Sequence, residues 1–253
     1  MMNLETLTLR EIVARPVVLK LERPVVARIA TIEEWPLILI DLHTEEGITG
    51  RSYLEPYIVK SMRYLVPALN DLSSLLRGKQ VTPIEFFDAA RKSLHFVGYE
   101  GLSMIAAAGL DMAAWDALAK AANLPLCRLL GGSVGPVKAY NSNGLWLREP
   151  DEVASEAVEL REEGGFLGLK LRMGRDRPEE DIETVSAVRK SVGDDMRLMI
   201  DFNQGLDMAE ALKRCHMIDD LDLEWIEEPV VYDNIDGYAK LTTELKTPIQ
   251  IGE

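Results

Sequence analysis

The sequence predicts an α/β protein in two parts: an N-terminal α+β capping domain over residues 1–132, made of a strand meander plus helices, and the first part of a β/α barrel over residues 133–253. Three observations predict it. Strand-like sequence gives way near Tyr57 to helical sequence. From Gly135-Pro136 onward, short apolar runs alternate with amphipathic stretches every 25 to 30 residues, the rhythm of βα units around a parallel sheet. Three acidic residues close three successive apolar runs and fall 26 residues apart.

The first 55 residues read as strands. Leu37-Ile-Leu-Ile-Asp-Leu42 is β-rich, and Thr44-Glu-Glu-Gly-Ile-Thr-Gly50 supplies a turn before Arg51-Ser-Tyr-Leu54. Tyr57 to Leu76 carries apolar residues at three- and four-residue steps, and Thr82-Pro83 followed by Glu85 reads as a helix start. Gly101 to Ala122 is Ala-rich and helix-forming, and Leu130-Gly-Gly132 ends the helical region. Strand-like runs follow at Lys138–Asn141, Gly168–Leu171, Leu198–Ile200, Leu223–Ile226 and Pro248–Ile251, with helical stretches such as Pro150–Glu163 and Glu179–Val192 between them. Strands followed by βα repeats predict a modified, TIM-like barrel behind a separate domain. About five strands cannot close an eight-stranded barrel, so a further C-terminal part is expected beyond residue 253.

Composition narrows the partners. The net charge of −14 repels phosphate backbones, so no nucleic-acid partner is expected. The hydrophobic fraction of 47% is too high for disorder. Residues 1–10 hold no signal-peptide core, and no unbroken apolar run reaches the roughly 20 residues of a membrane span. Cys127 and Cys215 lie far apart in helical sequence and read as buried thiols of a reducing compartment. The expectation is a soluble, cytoplasmic protein with no membrane partner.

The chemistry lies at the strand ends. Asp201 follows Leu-Met-Ile, Glu227 follows Glu-Trp-Ile, and Glu253 follows Ile-Gln-Ile-Gly. In a β/α barrel the C-terminal ends of the strands converge on the face that carries active sites. Three carboxylates gathered there repel unless a hard cation such as Mg²⁺ neutralises them. Acids also cap βα loops, so any one of the three is explained without a metal. Their coincidence at three consecutive strand ends is what points to one. One strand earlier, alternation in Gly168-Leu-Lys-Leu-Arg172 puts Lys170 and Arg172 on one face. Cations in an apolar barrel strand are costly unless paired.

The segments Lys170-Leu-Arg172, Asp201-Phe-Asn-Gln204, Trp225-Ile-Glu-Glu-Pro229 and Gly252-Glu253 resemble the enolase superfamily, mandelate racemase subgroup. So do Gly98-Tyr-Glu-Gly-Leu102 and the Ala-rich run from Ala106 to Leu118, and the resemblance spans essentially the whole chain. It implies Mg²⁺ held by Asp201, Glu227 and Glu253. Lys170 and Arg172 would be the catalytic pair, with Lys170 on the substrate carboxylate helped by Ser142, and Asn203 on the α-hydroxyl. Glu228 is read as structural. The implied reaction is Mg²⁺-dependent abstraction of the α-proton of a 2-hydroxy carboxylate through an enediolate, by a lyase or isomerase that is a homo-oligomer.

One departure bears on the reaction. The second position of the basic pair, a lysine base in the family, is Arg172, and arginine is a poor base but a good electrostatic clamp. His43, His95 and His216 lie outside the expected strand ends, so the opposite-face base is expected after residue 253. A one-base site favours an acid-sugar dehydratase over a racemase and counts against muconate-type cycloisomerisation. Pulling the other way, Pro24 to Ile32 resembles the family's substrate-covering flap, with Val25, Ile29 and Ile32 lining the pocket and Tyr57 near its mouth. Apolar side chains there suit an aryl or alkyl group. Against that, Glu55 replaces an aromatic residue and Arg28, Glu33 and Glu34 add polarity. A non-catalytic degenerate barrel acting as a scaffold is the alternative.

Overall fold

The computed structural model describes residues 6–252 and divides the chain into two compact units, one of residues 1–21 and 34–136, the other of 22–33 and 137–253.

The first unit holds most of a three-stranded sheet, in the order β1 (Leu9–Val26), β2 (Thr31–Thr44), β3 (Thr49–Leu54), the β1–β2 tip at 22–33 being counted with the second. β2 and β3 pair antiparallel from Ile38↔Leu54 to His43↔Thr49, so Ile38, Ile40 and Leu42 share one face and are buried. Helices α1 (Met62–Leu76), α2 (Pro83–Ser93), α3 (Leu102–Ala121) and α4 (Leu126–Leu129) follow. The sequence places the first helix start near Tyr57; the structure has a 3₁₀ turn at Val59–Ser61 first. At α2, Pro83 takes the first turn and Thr82 Oγ1 donates to Glu85 Oε2 at 2.9 Å.

The alanines of α3 have a steric purpose. A Cβ on Gly50 of β3 would stand 2.1 Å from the Ala113 carbonyl oxygen, and one on Gly109 would stand 2.6 Å from Ile40 Cδ1. The helix therefore lies directly on the sheet, and only small residues permit that approach. By length and composition α3 is apolar enough to cross a membrane, yet its Ala and Gly face is buried in the core of this unit.

The second unit alternates α5 (Pro150–Gly164), β4 (Gly168–Arg172), α6 (Pro178–Val192), β5 (Arg197–Asp201), α7 (Met208–Ile218), β6 (Trp225–Glu227), α8 (Ile235–Glu244) and β7 (Ile249–Gln250). The strands form one parallel sheet in chain order, β4-β5-β6-β7. Local chemistry sets the helix ends. Pro opens α5 and α6 with acids in the first turn, Asp207 and Asn234 cap α7 and α8 through their side chains, and left-handed Gly165 (φ 63°) ends α5. Leu169, Leu171, Leu198, Ile200 and Ile226 point at the helices and form the core with residues such as Val153, Ala157 and Val188.

Two expectations are corrected. Lys138–Asn141 does not form a full strand. It is reduced to one parallel bridge, Asn141↔Leu169, because the Asn141 side chain accepts the Asn143 N–H at 3.0 Å and turns the chain away. Cys127 is exposed, on the four-residue helix α4, which buries none of its residues. Cys215 is buried, and burial pushes its thiol up to about 12. Iodoacetamide at pH 8 is therefore expected to label Cys127 and spare Cys215, with both labelled in denaturant. Peptide mapping that finds native Cys215 alkylated would contradict the packing. The unfolded thiol ionises at about 8.5. Between that pH and about 12 the unfolded chain binds fewer protons than the native one, so this thiol lowers stability as pH rises.

Candidate functional site

The sheet register builds the site. Arg172 lies opposite Asp201, and Asp201 lies opposite Glu227, all at the C-terminal ends of their strands. Period-two alternation along β4 sends Leu169 and Leu171 to the helices and Lys170 and Arg172 to the other face. Lys170 Nζ sits 2.5 Å from Glu227 Oε1 and 3.1 Å from Asp201 Oδ2, and Arg172 Nη1 is 3.4 Å from Asp201 Oδ2. All four side chains are largely buried. Two cations and two carboxylates thus share a small low-dielectric volume, where each charge depends on the others.

Neighbours fix each member. Trp225 Nε1 donates to Glu227 Oε2 at 2.9 Å. The Asn203 backbone N–H donates to Asp201 Oδ1 at 2.7 Å, in a turn where Asn203 and Gln204 have φ of 48° and 61°. The Tyr140 ring meets Trp225 edge-on and lies 5.9 Å from the Lys170 ammonium. Burial, and then the Glu228 and Asp201 carboxylates, push the Tyr238 phenol up to about 12, so it stays a neutral donor to the Val230 carbonyl.

Of the residues expected from sequence, Lys170, Arg172, Asp201 and Glu227 are brought together, and Asn203 stands two residues beyond Asp201. Ser142 is half-buried, one residue past the Asn141 bridge. Glu253 lies outside the described residues. Val25 and Ile32 are half-buried in the β1–β2 hairpin and Ile29 at its tip is exposed. Tyr57, in the first unit, is exposed and meets Trp35 edge-on. Glu228 has φ 44°, so strand alternation does not describe it; its carboxylate accepts from Gln204 Nε2 at 3.1 Å.

Sequence reading missed three supports. Trp146 stacks on Arg172, whose Cζ lies 5.0 Å from the indole ring. Asp181, buried, accepts the N–H groups of Gly174 and Arg175 and pairs with Arg175 and Arg214, which pins the loop after β4. Arg28, at the hairpin tip, donates to the carbonyls of Gly174 (2.6 Å) and Gly205 (3.0 Å), just past β4 and β5. A Cβ on either glycine would stand 2.8–2.9 Å from Arg28 Cδ, so both leave room for it. Acid–base pairs on separate helices and a glycine beside a distant arginine carry no periodic signal; only the tryptophan, lone between two apolar runs, could have drawn notice.

Among the described residues, no three His, Cys, Asp or Glu side chains group to hold a metal. The two carboxylates that meet are hard oxygen donors, and the buried Asn203 Oδ1 beside them has no hydrogen-bond partner among the described residues. One or two carboxylates plus water and substrate oxygens suit Mg²⁺, so the residues present fit that ion.

The model of the mandelate racemase/muconate lactonizing enzyme N-terminal domain matches residues 9–131, and that of the enolase C-terminal domain-like family matches 152–253. The L-talarate/galactarate dehydratase of Salmonella typhimurium is 39% identical over 62% of this chain and 39% of its own length. The 3,6-anhydro-alpha-L-galactonate cycloisomerase of Streptomyces coelicolor is 30% identical over 87% of this chain and 61% of its own. The chain thus spans less than two thirds of these curated relatives. Other relatives are named epimerases and racemases. Among solved structures, an enolase from alpha pretobacterium bal199 with bound Mg is 69% identical, with a TM-score of 0.96 over 98% of this chain and 69% of that one. A Bradyrhizobium enolase complexed with magnesium and mandelic acid is 37% identical, with a TM-score of 0.92 over 100% of this chain and 69% of that one.

Proposed function

The chain belongs to the enolase superfamily, in its mandelate racemase subgroup, and from that premise we propose that it serves Mg²⁺-dependent α-proton abstraction from a 2-hydroxy carboxylate, as an acid-sugar dehydratase. The observation that carries this reading is the Lys170–Asp201–Glu227 cluster at neighbouring strand ends, with Arg172 where a second base would stand.

Asp201 and Glu227 would hold the Mg²⁺, with Glu253 as the third ligand. Bound there, the ion would supply positive charge against the charge that builds on the substrate carboxylate as the α-proton leaves. The chain's own residues do the rest. Lys170, held between the two carboxylates, brings an ammonium to the place where the substrate carboxylate would bind, with Ser142 beside it. Arg172 adds a fixed charge that develops no basicity. Asn203 offers a buried amide oxygen to an α-hydroxyl proton. Val25, Ile29 and Ile32 of the hairpin would close the pocket, with Arg28 holding the tip in place. Lys170 is buried, with the Tyr140 ring 5.9 Å from its ammonium, and burial strengthens each of these fields.

A racemase is the second reading, favoured by one observation: the Bradyrhizobium neighbour holds mandelic acid. The full-length gene product with Mg²⁺ in D₂O, followed by proton NMR, decides between them. We expect β-elimination from an acid sugar and no α-exchange in either mandelate enantiomer. Exchange from both enantiomers would establish the racemase. No exchange or elimination from any 2-hydroxy acid would leave a scaffold.

A further inference from the structure

Four buried side-chain atoms have no hydrogen-bond partner among the described residues: Trp146 Nε1, Arg172 Nε, Arg172 Nη1 and Asn203 Oδ1. All belong to the site. Trp146 is 6% exposed and Arg172 9%. Buried donors left without acceptors are rare in folded proteins, and each calls for an explanation, a functional role among them.

The backbone brings Trp146 and Arg172 together. Arg172 closes β4 and its N–H donates to the Leu145 carbonyl at 2.9 Å. Leu145, at φ 55°, turns the chain so that Trp146 stacks on the guanidinium, with 5.0 Å from Cζ to the ring. Arg172 Nη1 also approaches Asp201 Oδ2 at 3.4 Å without making a hydrogen bond. The stacking holds the guanidinium fork in one orientation. What remains unanswered is the Arg172 N–H groups next to Asp201, the indole N–H of the Trp146 that stacks on Arg172, and one acceptor, Asn203 Oδ1, two residues beyond Asp201.

We infer that Trp146 is a specificity-determining residue: its indole N–H and the Arg172 guanidinium form a donor subsite for a substrate hydroxyl beyond the α-carbon, so the site selects a polyhydroxy acid over an aryl one. This rests on the function proposed above. A hydroxyl both accepts and donates, so a chain of hydroxyls can answer Trp146, Arg172 and Asn203 together. A carboxylate answers only the donors. A phenyl ring answers neither donor residue and leaves the Trp146 and Arg172 N–H groups desolvated.

The test is equilibrium binding to the full-length protein with Mg²⁺, by calorimetry, using galactarate and gluconate against (R)- and (S)-mandelate. Trp146→Phe keeps a ring on Arg172 and deletes the N–H. It is expected to weaken the polyhydroxy acids about five- to tenfold and to leave mandelate within twofold. Trp146→His, which returns a ring N–H, should recover part of that loss. If affinities for both classes fall together, or neither changes, Trp146 is packing and the inference fails. It also fails if the wild type binds neither polyhydroxy acid more tightly than mandelate. The proposed function fails separately: wild-type affinities unaffected by omitting Mg²⁺, with no α-exchange from any acid, would sink it whatever the Trp146→Phe ratio.

Discussion

Asp201→Asn is expected to cost about 3–5 kcal/mol of stability in the metal-free protein and at least about a thousandfold in turnover. The side chain is 2% exposed and its Oδ2 faces both Lys170 and Arg172. Asparagine keeps the shape and one acceptor for the Asn203 N–H but removes the charge. Lys170 retains Glu227, whereas Arg172 is left buried against an indole ring with no carboxylate in reach among the described residues. A buried cation stripped of its partner accounts for the stability loss, and a missing metal ligand for the activity loss. Chemical denaturation with and without Mg²⁺ separates the two. If the variant matches the wild type in stability and turnover, Asp201 is a loop cap and no more.

Lys170→Met is expected to act in the opposite sense on metal binding. Its ammonium is the shared counter-ion of Asp201 and Glu227, so without it two carboxylates face each other on adjacent strands. The metal-free variant should melt lower than the wild type. Mg²⁺ should then raise its melting temperature by several degrees more than it raises that of the wild type, because added charge replaces the lost ammonium; about 1 kcal/mol corresponds to ~2–4 °C in a domain of this size. Turnover should still fall at least about a hundredfold, since the group on the substrate carboxylate is gone. Differential scanning fluorimetry over a Mg²⁺ titration reads this directly. Equal Mg²⁺ responses in variant and wild type would mean that the carboxylate pair is not the cation site.

The parts legible in the sequence were those that repeat. Asp201 and Glu227 end strands of a βα array, and an array has a period that survives without coordinates. Lys170 and Arg172 follow from alternation within one strand, because a pleated backbone leaves only two directions for a side chain. The Ala-rich α3 announced a helix, though not why it is alanine; that reason is the close approach of Gly50 and Gly109 to their neighbours. Lys138–Asn141 read as a strand from its residues and failed because one Asn side chain captured a backbone N–H. Cys127 read as buried because its sequence is helical, but a helix of four residues has no buried side to offer it.

By itself, then, the sequence determined the βα order, the polarity of each strand face, and the acids at the strand ends, all of which depend on residues near one another in the chain. Only the tertiary structure decided that Lys170 is clamped between two carboxylates, that Arg28 reaches Gly174 and Gly205, that Asp181 gathers Arg175 and Arg214, and that Trp146 lies on Arg172. The physical reason is common to all four. Each contact is fixed by strand register or by where loops redirect the chain, and by which charge finds which partner. Such choices are settled by desolvation in a shared interior, and no periodicity of the sequence records them.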